Sequence, residues 1–450
     1  MPFIPHSDAD VAAMLATIGV DDIETLFDEI PPELRAGALI HTPARRDEMH
    51  MTAVMSERAR ADETGPCFLG AGCYDHYIPA AVWDLTSRGE FMTGYTPYQA
   101  EASQGTLQLI YEFQTMMTAL TGMDVSNASV YDGASGLAEA VLMAVRANKK
   151  SGSRNGLVTG ATHPLYVETA RNIVRNQGIE IEVVAFGANG VTTLSAMQQA
   201  SKDPVAVIVQ QPNFFGMLED ADALADWASS QGALVIGVTN PLSLALFEPP
   251  SCWGEHGADI VCGDGQPLGI PMSSGGPSFG FICAKRALVR QMPGRIIGAT
   301  EDTDGQRGYT LTLQAREQHI RRAKATSNIC TNQGLLVTAA TIHMSLLGPS
   351  GLRNVAVASH NRTRQLVDRL TEIEGVERIF EGPYFHEQAL SLGRDAAEVV
   401  ETLAGKGWVA GLALGAYFPD LADACLFCAT EQRTVAEIDA FADDLGEVLA

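Results

Sequence analysis

Short apolar runs alternate with longer amphipathic segments between about residues 104 and 290. The short runs predict β-strands, whereas the longer segments repeat apolar residues every three or four positions and predict helices. The predicted strands are GLVTG, IEIEVVAF, VAVIVQ, ALVIGV, ADIVC and FGFICAK, and the predicted helices are LAEAVLMAVRANKK, PLYVETARNIVRNQ and DADALADWASSQ. Apolar strands that alternate with helices are typical of a largely parallel sheet covered on both faces, so this region is predicted to be a doubly wound α/β domain.

The two ends of the chain have different patterns. The stretch SDADVAAMLATIGVDDIETLFDEIP predicts two short amphipathic helices, with Ser7 as N-cap of the first and Gly19 between them. After Gly348 the pattern predicts a long helix through GLRNVAVASHNRTRQLVDRLTEI, strands at VERIF and ACLFCATE, and a closing helix from Val435. We therefore divide the chain into a helical arm at 1–65, a large α/β domain at 66–345 and a smaller α+β domain at 346–450.

Composition narrows the classes of partner. The chain of 450 residues carries 54 acidic and 30 basic side chains, a formal charge of -24. Such a charge repels phosphate backbones and anionic lipids, so neither nucleic acid nor a membrane is expected as a partner. No uncharged apolar run approaches the ~20 residues of a spanning helix. The start MPFIPHSDAD lacks the basic region and apolar core of a signal peptide, so we expect a soluble, cytoplasmic protein.

The 8 cysteines do not have the dense spacing of a disulfide framework, which favours a reducing compartment. Cys67, Cys73 and His76 form one loose group, and Cys425 and Cys428 form another. Neither group has a second matching pair at zinc spacing, so no metal site is expected.

Three stretches that adjoin predicted strands or helices are candidates for chemistry. In SVYDGASGLAEAV, glycines open a helix, where they either admit an anion or form a turn capped by Ser135. In VCGDGQPLGIPMSSGGPSFGFICAK, an unusual loop marks either a tight crossing or a ligand site. In GYTPYQAEASQGTLQLIYEFQ, polar and aromatic residues precede a helix. They form either a functional site or an ordinary loop in which Ser103 caps the helix.

Together these stretches resemble glycine decarboxylase, the pyridoxal-phosphate-dependent P-protein of the glycine cleavage system. The segments that carry the resemblance are FLGAGCYDHYIPAAV, YTPYQAEASQGTL, FQTMMTALTGMDVSNASVYDGASGLAEA, GIPMSSGGPSFG and RRAKATSNICTNQGLL. The chain covers about half of the long single-chain form and looks like the alpha subunit, or subunit 1, of the two-subunit form. The resemblance implies the fold type I architecture of aspartate aminotransferase-like pyridoxal phosphate enzymes.

The resemblance also implies a lysine whose amine forms a Schiff base with the cofactor, just before the glycine-rich loop. In this chain Gln266 stands at that place, and a carboxamide cannot form the imine. The family fold further implies an aspartate near the end of a central strand, beside the pyridine nitrogen. Thr239 or Asn240 occupies that region here, so two parts of a cofactor pocket are missing.

The chain has six lysines: Lys149, Lys150, Lys202, Lys285, Lys324 and Lys406. Four of them stand where a solvated lysine is ordinary, and Lys285 ends a strand, which favours a structural role. Lys324 lies in the family-like segment, where its charge suits a carboxylate, a phosphate or an acidic partner.

The activity implied by the resemblance is decarboxylation of glycine through pyridoxal phosphate, with transfer of the aminomethyl group to the lipoyl arm of H-protein. A lysine-bearing beta subunit would then hold the cofactor, in an alpha2beta2 assembly with the active site between the subunits. The candidate site residues of this chain are Tyr95, Tyr98, Gln99, Glu101, Ser103, Gln104 and His76, and the candidate interface contacts are Tyr74, Lys324, Thr326, Ser327 and Asn328. His76 is either an acid or base near neutral pH or a packed side chain.

Two other hypotheses stay open. The chain could be a structural or regulatory pseudoenzyme subunit without catalytic residues. It could also be an autonomous pyridoxal enzyme that uses Lys285 or Lys324.

Overall fold

The computed structural model describes residues 6–35, 42–62, 65–92, 94–200 and 203–450. The chain separates into two compact units, residues 1–63 and residues 64–450. The predicted boundary between a large and a small domain at 346 falls inside the second unit and stays a prediction.

The first unit consists of short helices without a core. Its helices are α1 (Asp8–Ile18) and α2 (Glu48–Ala61). Ser7 caps α1 through a capping box, and Gly19 ends it in the left-handed conformation, as predicted. The second predicted helix is wrong, since only a 3₁₀ turn forms at Glu24–Phe27 before Pro31 and Pro32 interrupt the backbone pattern. No described residue of this unit is buried.

The second unit contains the predicted large sheet, in the order β1-β7-β6-β5-β4-β2-β3. Its strands are β1 (Val125–Ser126), β2 (Asn155–Thr159), β3 (Glu180–Val184), β4 (Ala206–Gln210), β5 (Leu234–Val238), β6 (Ile260–Asp264) and β7 (Gly280–Ala284). Strands β2 to β6 are parallel to one another, whereas β7 is antiparallel to β6 and to β1. The mostly parallel sheet is therefore confirmed.

Both faces of this sheet are buried at its central strands, because β4, β5, β6 and β7 are apolar at nearly every position. In β4, Val207 and Val209 belong to the core on one face, and Ala206 and Ile208 belong to the core on the other. All four side chains are fully buried. A strand that buries successive residues on opposite faces needs helices on both sides.

Helices supply that cover and connect the strands. The helices of the second unit are α3 (Ala80–Thr86), α4 (Gln104–Thr121), α5 (Gly133–Ala147), α6 (Pro164–Val174), α7 (Leu194–Gln199), α8 (Ala221–Ser230), α9 (Gln318–Arg321), α10 (Gly334–Leu370), α11 (Ala396–Gly405) and α12 (Val435–Leu449). The three helices predicted between the strands are α5, α6 and α8, and α12 begins at Val435 as predicted.

Two smaller sheets complete the unit. An antiparallel sheet in the order β10-β11-β13-β12 contains β10 (Glu377–Arg378), β11 (Glu387–Ser391), β12 (Leu412–Ala413) and β13 (Ala424–Cys428). A hairpin pairs β8 (Ile296–Glu301) with β9 (Arg307–Thr312). The apolar pattern predicted β10 and β13 but not β11, β12 or the hairpin.

Helix α10 is kinked at Gly348, the residue after which the hydrophobic pattern of the sequence changes. Gly348 has non-helical backbone angles, φ 61° and ψ −177°, and Pro349 follows it. By length and composition α10 passes as a membrane span, but half of its most apolar window is buried within the protein. Core helices of folded proteins share this property, so the helix gives no independent indication of a membrane.

Candidate functional site

The carboxyl ends of β4, β5 and β6 surround a small cavity, which we call the sheet-end pocket. In open α/β sheets this edge is where ligands bind. The lining residues are Gly72, Tyr74, His163, Tyr166, Gln210, Val238, Thr239, Asn240, Asp264 and Pro267. The cavity holds about 30 Å³, which is room for about two waters. An unpaired buried nitrogen, Nδ1 of His163, suits such a water.

Gln266, at the predicted lysine position, is locked into the fold by its carboxamide. Its Oε1 accepts from the backbone N of Tyr74 at 2.8 Å, and its Nε2 donates to the carbonyl oxygens of Tyr74 at 2.9 Å and Ile270 at 2.8 Å. The residue is buried. The carboxamide thus joins the loop around Tyr74 to the glycine-rich loop, which is a structural use of this position.

Asp264 places a carboxylate at the N-terminus of α5. Its Oδ2 accepts from the backbone N of Gly133 at 3.0 Å, and its Oδ1 accepts from the backbone N of Gln266 at 2.9 Å and from the hydroxyl of Ser278. Burial raises the pKa of Asp264 above its ordinary value, and these hydrogen bonds oppose the rise. A helix N-terminus attracts anions, so an internal anion already occupies this one.

The first glycine of DGASG, Gly133, serves this close approach. A Cβ at Gly133 would lie 2.8 Å from the backbone N of Asp264, so a side chain does not fit there. The N-cap of α5 is Asp132, whose carboxylate accepts from the N of Ser135 at 2.7 Å. The expectation that Ser135 is the cap is wrong, because Ser135 is the reciprocal member of the capping box.

Other residues at the pocket also make contacts within the chain. After β5, Thr239 donates to the carbonyl of Gln211 at 3.0 Å, and Asn240 accepts from the N of Leu242 at 3.0 Å. The His163 ring stacks on Tyr166 at 4.5 Å, and burial lowers its pKa to about 4. A larger open depression of about 430 Å³ adjoins the pocket near Cys73 and Gln333.

Pyridoxal phosphate does not fit the sheet-end pocket of this chain. The cavity is about a tenth of the ~300 Å³ at which ligand sites begin. No carboxylate follows β5, and Asp264 fills the anion position at α5. None of the five described lysines lines either the pocket or the adjoining depression, and Lys202 lies outside the described residues.

The two lysines singled out by sequence lie elsewhere. Lys285 Nζ is 2.7 Å from Asp259, the residue before β6, and donates to the carbonyl of His256 at 3.0 Å. Because Asp259 precedes a strand that runs toward the pocket, Lys285 is at the opposite edge of the sheet. Lys324 is exposed in a 3₁₀ turn. This geometry disfavours the hypothesis of an autonomous pyridoxal enzyme.

Tyr74 and His76 are buried in a polar cluster. The Tyr74 hydroxyl donates to Oε2 of Glu387 at 2.7 Å, and Nδ1 of His76 is 2.8 Å from Oε2 of Glu431. The His76 ring lies 6.1 Å from that of His386, and its Nε2 has no partner among the described residues. This burial favours the packed interpretation of His76, and the roles predicted for both residues stay predictions.

Glu387 and the neighbouring histidines of this cluster have shifted pKa values. Burial raises the pKa of Glu387 to about 7, and burial lowers the pKa of His343 to about 4. Burial also lowers the pKa of His386. Burial therefore shifts each of these three groups toward its uncharged form relative to the same group in water.

The other predicted residues lie in an exposed segment, residues 94–104, which we call the tyrosine loop. The side chains of Tyr95 and Tyr98 are 88% and 50% exposed, and Gln99 and Glu101 are exposed as well. Solvent exposure of two large aromatic residues in one short loop is typical of a surface that contacts another molecule.

Two residues of the tyrosine loop have local roles. Gln104 accepts from the backbone N of Tyr309 and donates to its carbonyl oxygen, both at 2.8 Å, so it fastens the loop to β9. Ser103 is at the N-cap position of α4, but its hydroxyl makes no capping hydrogen bond.

The predicted interface segment 324–328 is largely open to solvent. Lys324 and Asn328 are exposed, and Thr326 and Ser327 are half-buried. The backbone N of Thr326 donates to the carbonyl of Arg316 at 2.9 Å, and the Ser327 hydroxyl accepts from the N of Ile329 at 3.0 Å.

Sequence reasoning missed Arg295, which connects the tyrosine loop to Asn332, four residues beyond the 324–328 segment. Arg295 is 97% buried just before β8, and it donates to the Tyr98 hydroxyl at 3.2 Å and to Oδ1 of Asn332 at 3.0 Å. The available signal was an arginine directly before the apolar run IIGA, where a strand begins with a charge. Arginine is almost never fully buried unless its charge is paired.

Comparisons with known proteins give a consistent result. A family model described as glycine cleavage system P-protein matches residues 1–445. Two curated relatives are each named probable glycine dehydrogenase (decarboxylating) subunit 1. The one from Nitrosospira multiformis is 56% identical over 100% of this chain and 99% of its own length. The one from Thioalkalivibrio sulfidiphilus is 58% identical over the full length of both chains.

Solved structures agree with the sequence relatives. A crystal structure of glycine decarboxylase (P-protein) of the glycine cleavage system, in inhibitor-bound form, superposes with a TM-score of 0.90 at 40% identity over 100% of both chains. A sphingosine-1-phosphate lyase from Burkholderia pseudomallei superposes with a TM-score of 0.65 at 17% identity, over 93% of this chain and 94% of its own. The second likeness concerns the fold alone, and with it the predicted fold type I architecture is confirmed.

Proposed function

Because this chain belongs to the glycine cleavage system P-protein family, we propose that it is the first of two subunits that together decarboxylate glycine. The observation that carries the proposal is the match of the full chain to relatives named subunit 1, combined with a sheet-end pocket that has no lysine. An enzyme of this kind needs its cofactor amine from elsewhere. The second subunit is therefore the source of the lysine and of the bound pyridoxal phosphate.

When bound in the second subunit, pyridoxal phosphate supplies an electron sink for the charge left on glycine as carbon dioxide departs. The role of this chain is to position reactants from the tyrosine loop. Tyr95 and Tyr98 offer hydroxyl donors, Gln99 offers an amide and Glu101 offers a carboxylate, all on an exposed surface. Fixing reactants in place accounts for several kcal/mol of barrier lowering in enzymes.

The assembly that follows is alpha2beta2, with each reaction site between an alpha and a beta subunit. The exposed Lys324 and Asn328, with Thr326 and Ser327 beside them, then contact the partner or its ligands. The aminomethyl group passes to the lipoyl arm of H-protein in this proposal, and the protein acts in the cytoplasm. The charge of -24 supports a role away from nucleic acids and anionic membranes.

The test is reconstitution with the second subunit. The chain alone, mixed with pyridoxal phosphate, is expected to show no visible imine absorbance and no lysine trapped by borohydride. The reconstituted complex is expected to catalyse glycine-dependent exchange of carbon dioxide. Tyr98→Phe is expected to lower that exchange at least tenfold with the complex intact, as judged by size-exclusion chromatography.

Tyr417→Phe is the matched control, because Tyr417 lies in the small antiparallel-sheet region, directly after the 3₁₀ turn Leu414–Ala416 that follows β12. It should leave the exchange rate unchanged. If both variants retain full activity in an intact complex, the structural or regulatory pseudoenzyme becomes the better description. A trapped lysine in the isolated chain would contradict the proposal altogether.

A further inference from the structure

Arg295 is a buried cation without an anion. Its side chain is 97% buried, and no carboxylate of the described residues lies within ion-pairing distance. Its Nε has no acceptor, and neither does the neighbouring Nδ2 of Asn332. Burying an unpaired charge and unpaired donors is costly, and well-packed apolar residues often replace such groups at no loss of stability. An arginine kept under these conditions points to a use other than stability.

Its contacts indicate that use. One terminal nitrogen donates to the Tyr98 hydroxyl at 3.2 Å, and the guanidinium lies 5.4 Å from the centre of the Tyr98 ring. The other terminal nitrogen donates to Oδ1 of Asn332 at 3.0 Å. Tyr98 also meets the ring of His319 edge-on at 5.7 Å. The guanidinium therefore contacts both the ring face and the hydroxyl oxygen of Tyr98. These two contacts together hold the Tyr98 side chain in one orientation.

The direction of the hydrogen bond matters for Tyr98. Its oxygen accepts from Arg295, so the phenolic proton is left for an acceptor outside the chain. Tyr98 is half exposed, so such an acceptor can approach from solvent or from a partner.

Arg316 offers an internal contrast in the segment that follows the same hairpin. All three of its nitrogens donate to backbone carbonyls, Nε to Leu313 at 3.2 Å, one terminal nitrogen to Gly294 at 2.9 Å and the other to Met292. This arginine is satisfied by the fold and contacts no residue of the tyrosine loop through these bonds. It has the pattern expected of a structural arginine.

We propose that Arg295 is a positioning residue that sets the ring and hydroxyl of Tyr98 toward the reaction site completed by the second subunit. The proposal rests on the proposed function, since it gives Tyr98 a partner to face. Arg295 touches no reactant and acts through Tyr98. Asn332 holds the guanidinium from the opposite side.

A double-mutant cycle in the reconstituted complex tests this. Lysine keeps the charge but cannot bridge two acceptors as a planar fork, so Arg295→Lys is expected to lower kcat for glycine–carbon dioxide exchange about tenfold with KM for glycine within twofold. In a Tyr98→Phe background the same change is expected to cost less than threefold, because residues that act as one unit are not additive. Equal costs in both backgrounds, or an unchanged kcat, would overturn the proposal.

A second measurement does not depend on turnover. In the isolated chain, Arg295→Lys is expected to speed amide hydrogen exchange in peptides covering residues 94–103 several-fold, and Arg316→Lys is not. Arg316→Lys should also show full additivity with Tyr98→Phe. If Arg295→Lys does not fold, Asn332→Ala replaces it, with about a threefold loss of kcat expected and the same loss of additivity. Unchanged exchange in the loop would contradict the positioning role.

The two proposals fail in different ways. A wild-type complex that does not exchange carbon dioxide with glycine contradicts the proposed function. An active wild-type complex whose Arg295 and Tyr98 variants are additive contradicts only the inference on Arg295.

Discussion

The sheet-end pocket and the tyrosine loop use their polar groups in opposite ways. At the pocket, both oxygens of Asp264 and both polar atoms of Gln266 bind partners within the chain. At the loop, Tyr95 and Tyr98 are exposed, and the arginine beneath Tyr98 keeps an unpaired nitrogen. The position where this fold ordinarily binds ligands has become part of the core, while a surface loop keeps groups free for another molecule.

The difference teaches that a lost cofactor site can be stabilised from within. Asp264 supplies an anion to the N-terminus of α5, and Gln266 joins the loop around Tyr74 to the glycine-rich loop. Polar groups that have internal partners add to stability, whereas groups without partners are available for binding. Substitutions in the first region should therefore act on folding, and those in the second on activity.

The largest effect on folding is expected for Gln266→Ala. The change leaves the backbone N of Tyr74 and the carbonyl of Ile270 without partners in a buried place, whereas the carbonyl of Tyr74 still accepts from the backbone N of His76. At about 1.5 kcal/mol for each of these two groups, the free energy of unfolding should fall by about 3 kcal/mol. Urea unfolding of the isolated chain measures this loss.

Gln108→Ala is the control, because its amide is exposed and bonds only Glu112 on the same helix. It should change the free energy of unfolding by less than about 0.5 kcal/mol. Equal stability of the two variants would mean that the pocket does not depend on Gln266.

A pH-dependent effect of about 2 kcal/mol is expected from Glu387, whose hydrogen bonds to Ala71 and Tyr74 support the pocket wall. Burial raises its pKa from 4.5 to about 7 in the folded protein. A raised pKa contributes stability that is fully present below about pH 4.5 and is lost as the pH rises through about 7. Glutamine stays uncharged, so Glu387→Gln should gain stability relative to the wild type between pH 5 and pH 8.

Urea unfolding of the wild type and of Glu387→Gln at pH 5 and pH 8 measures both the sign and the size of this change in the free energy of unfolding. Asp444→Asn is a suitable control, since hydrogen bonds from Lys406 and Trp408 lower the pKa of Asp444 below 3.8. That carboxylate is ionised in both states over this range, so its variant should show no such change. A relative loss of stability for Glu387→Gln at pH 8 would contradict the burial argument.

The sequence predicted the sheet well because its apolar pattern is local. Strands β2 to β7 and helices α5, α6 and α8 follow from local runs between turn residues, since each of these elements has between 5 and 15 residues. The hairpin β8–β9 was missed because its second strand, RGYTLT, is half-exposed and carries a weak pattern. The arm helix predicted near Glu24 was wrong because short helices depend on packing that this segment lacks.

The site was less accessible to sequence reasoning because its contacts span long separations. Gln266 bonds Tyr74, which is 192 positions away, and Arg295 bonds Tyr98, which is 197 positions away. A motif shows which residues stand together in the chain but not which distant side chain satisfies them. The lysine at position 266 could be recognised as missing, whereas the internal bonds of Gln266 and Asp264 could not be foreseen.

The smallest expected effect concerns the different contributions of Gln104 and Glu101, two residues of the tyrosine loop, to the free energy of unfolding. Gln104 bonds both polar backbone atoms of Tyr309, whereas Glu101 is exposed and has no hydrogen bond to another described residue. Gln104→Ala should therefore lower the free energy of unfolding by about 1 kcal/mol, and Glu101→Ala should change it by less than about 0.5 kcal/mol. Urea unfolding of both variants in the isolated chain makes the measurement. If Glu101→Ala costs as much stability as Gln104→Ala, then the loop is held by its exposed groups too, and its contrast with the sheet-end pocket disappears.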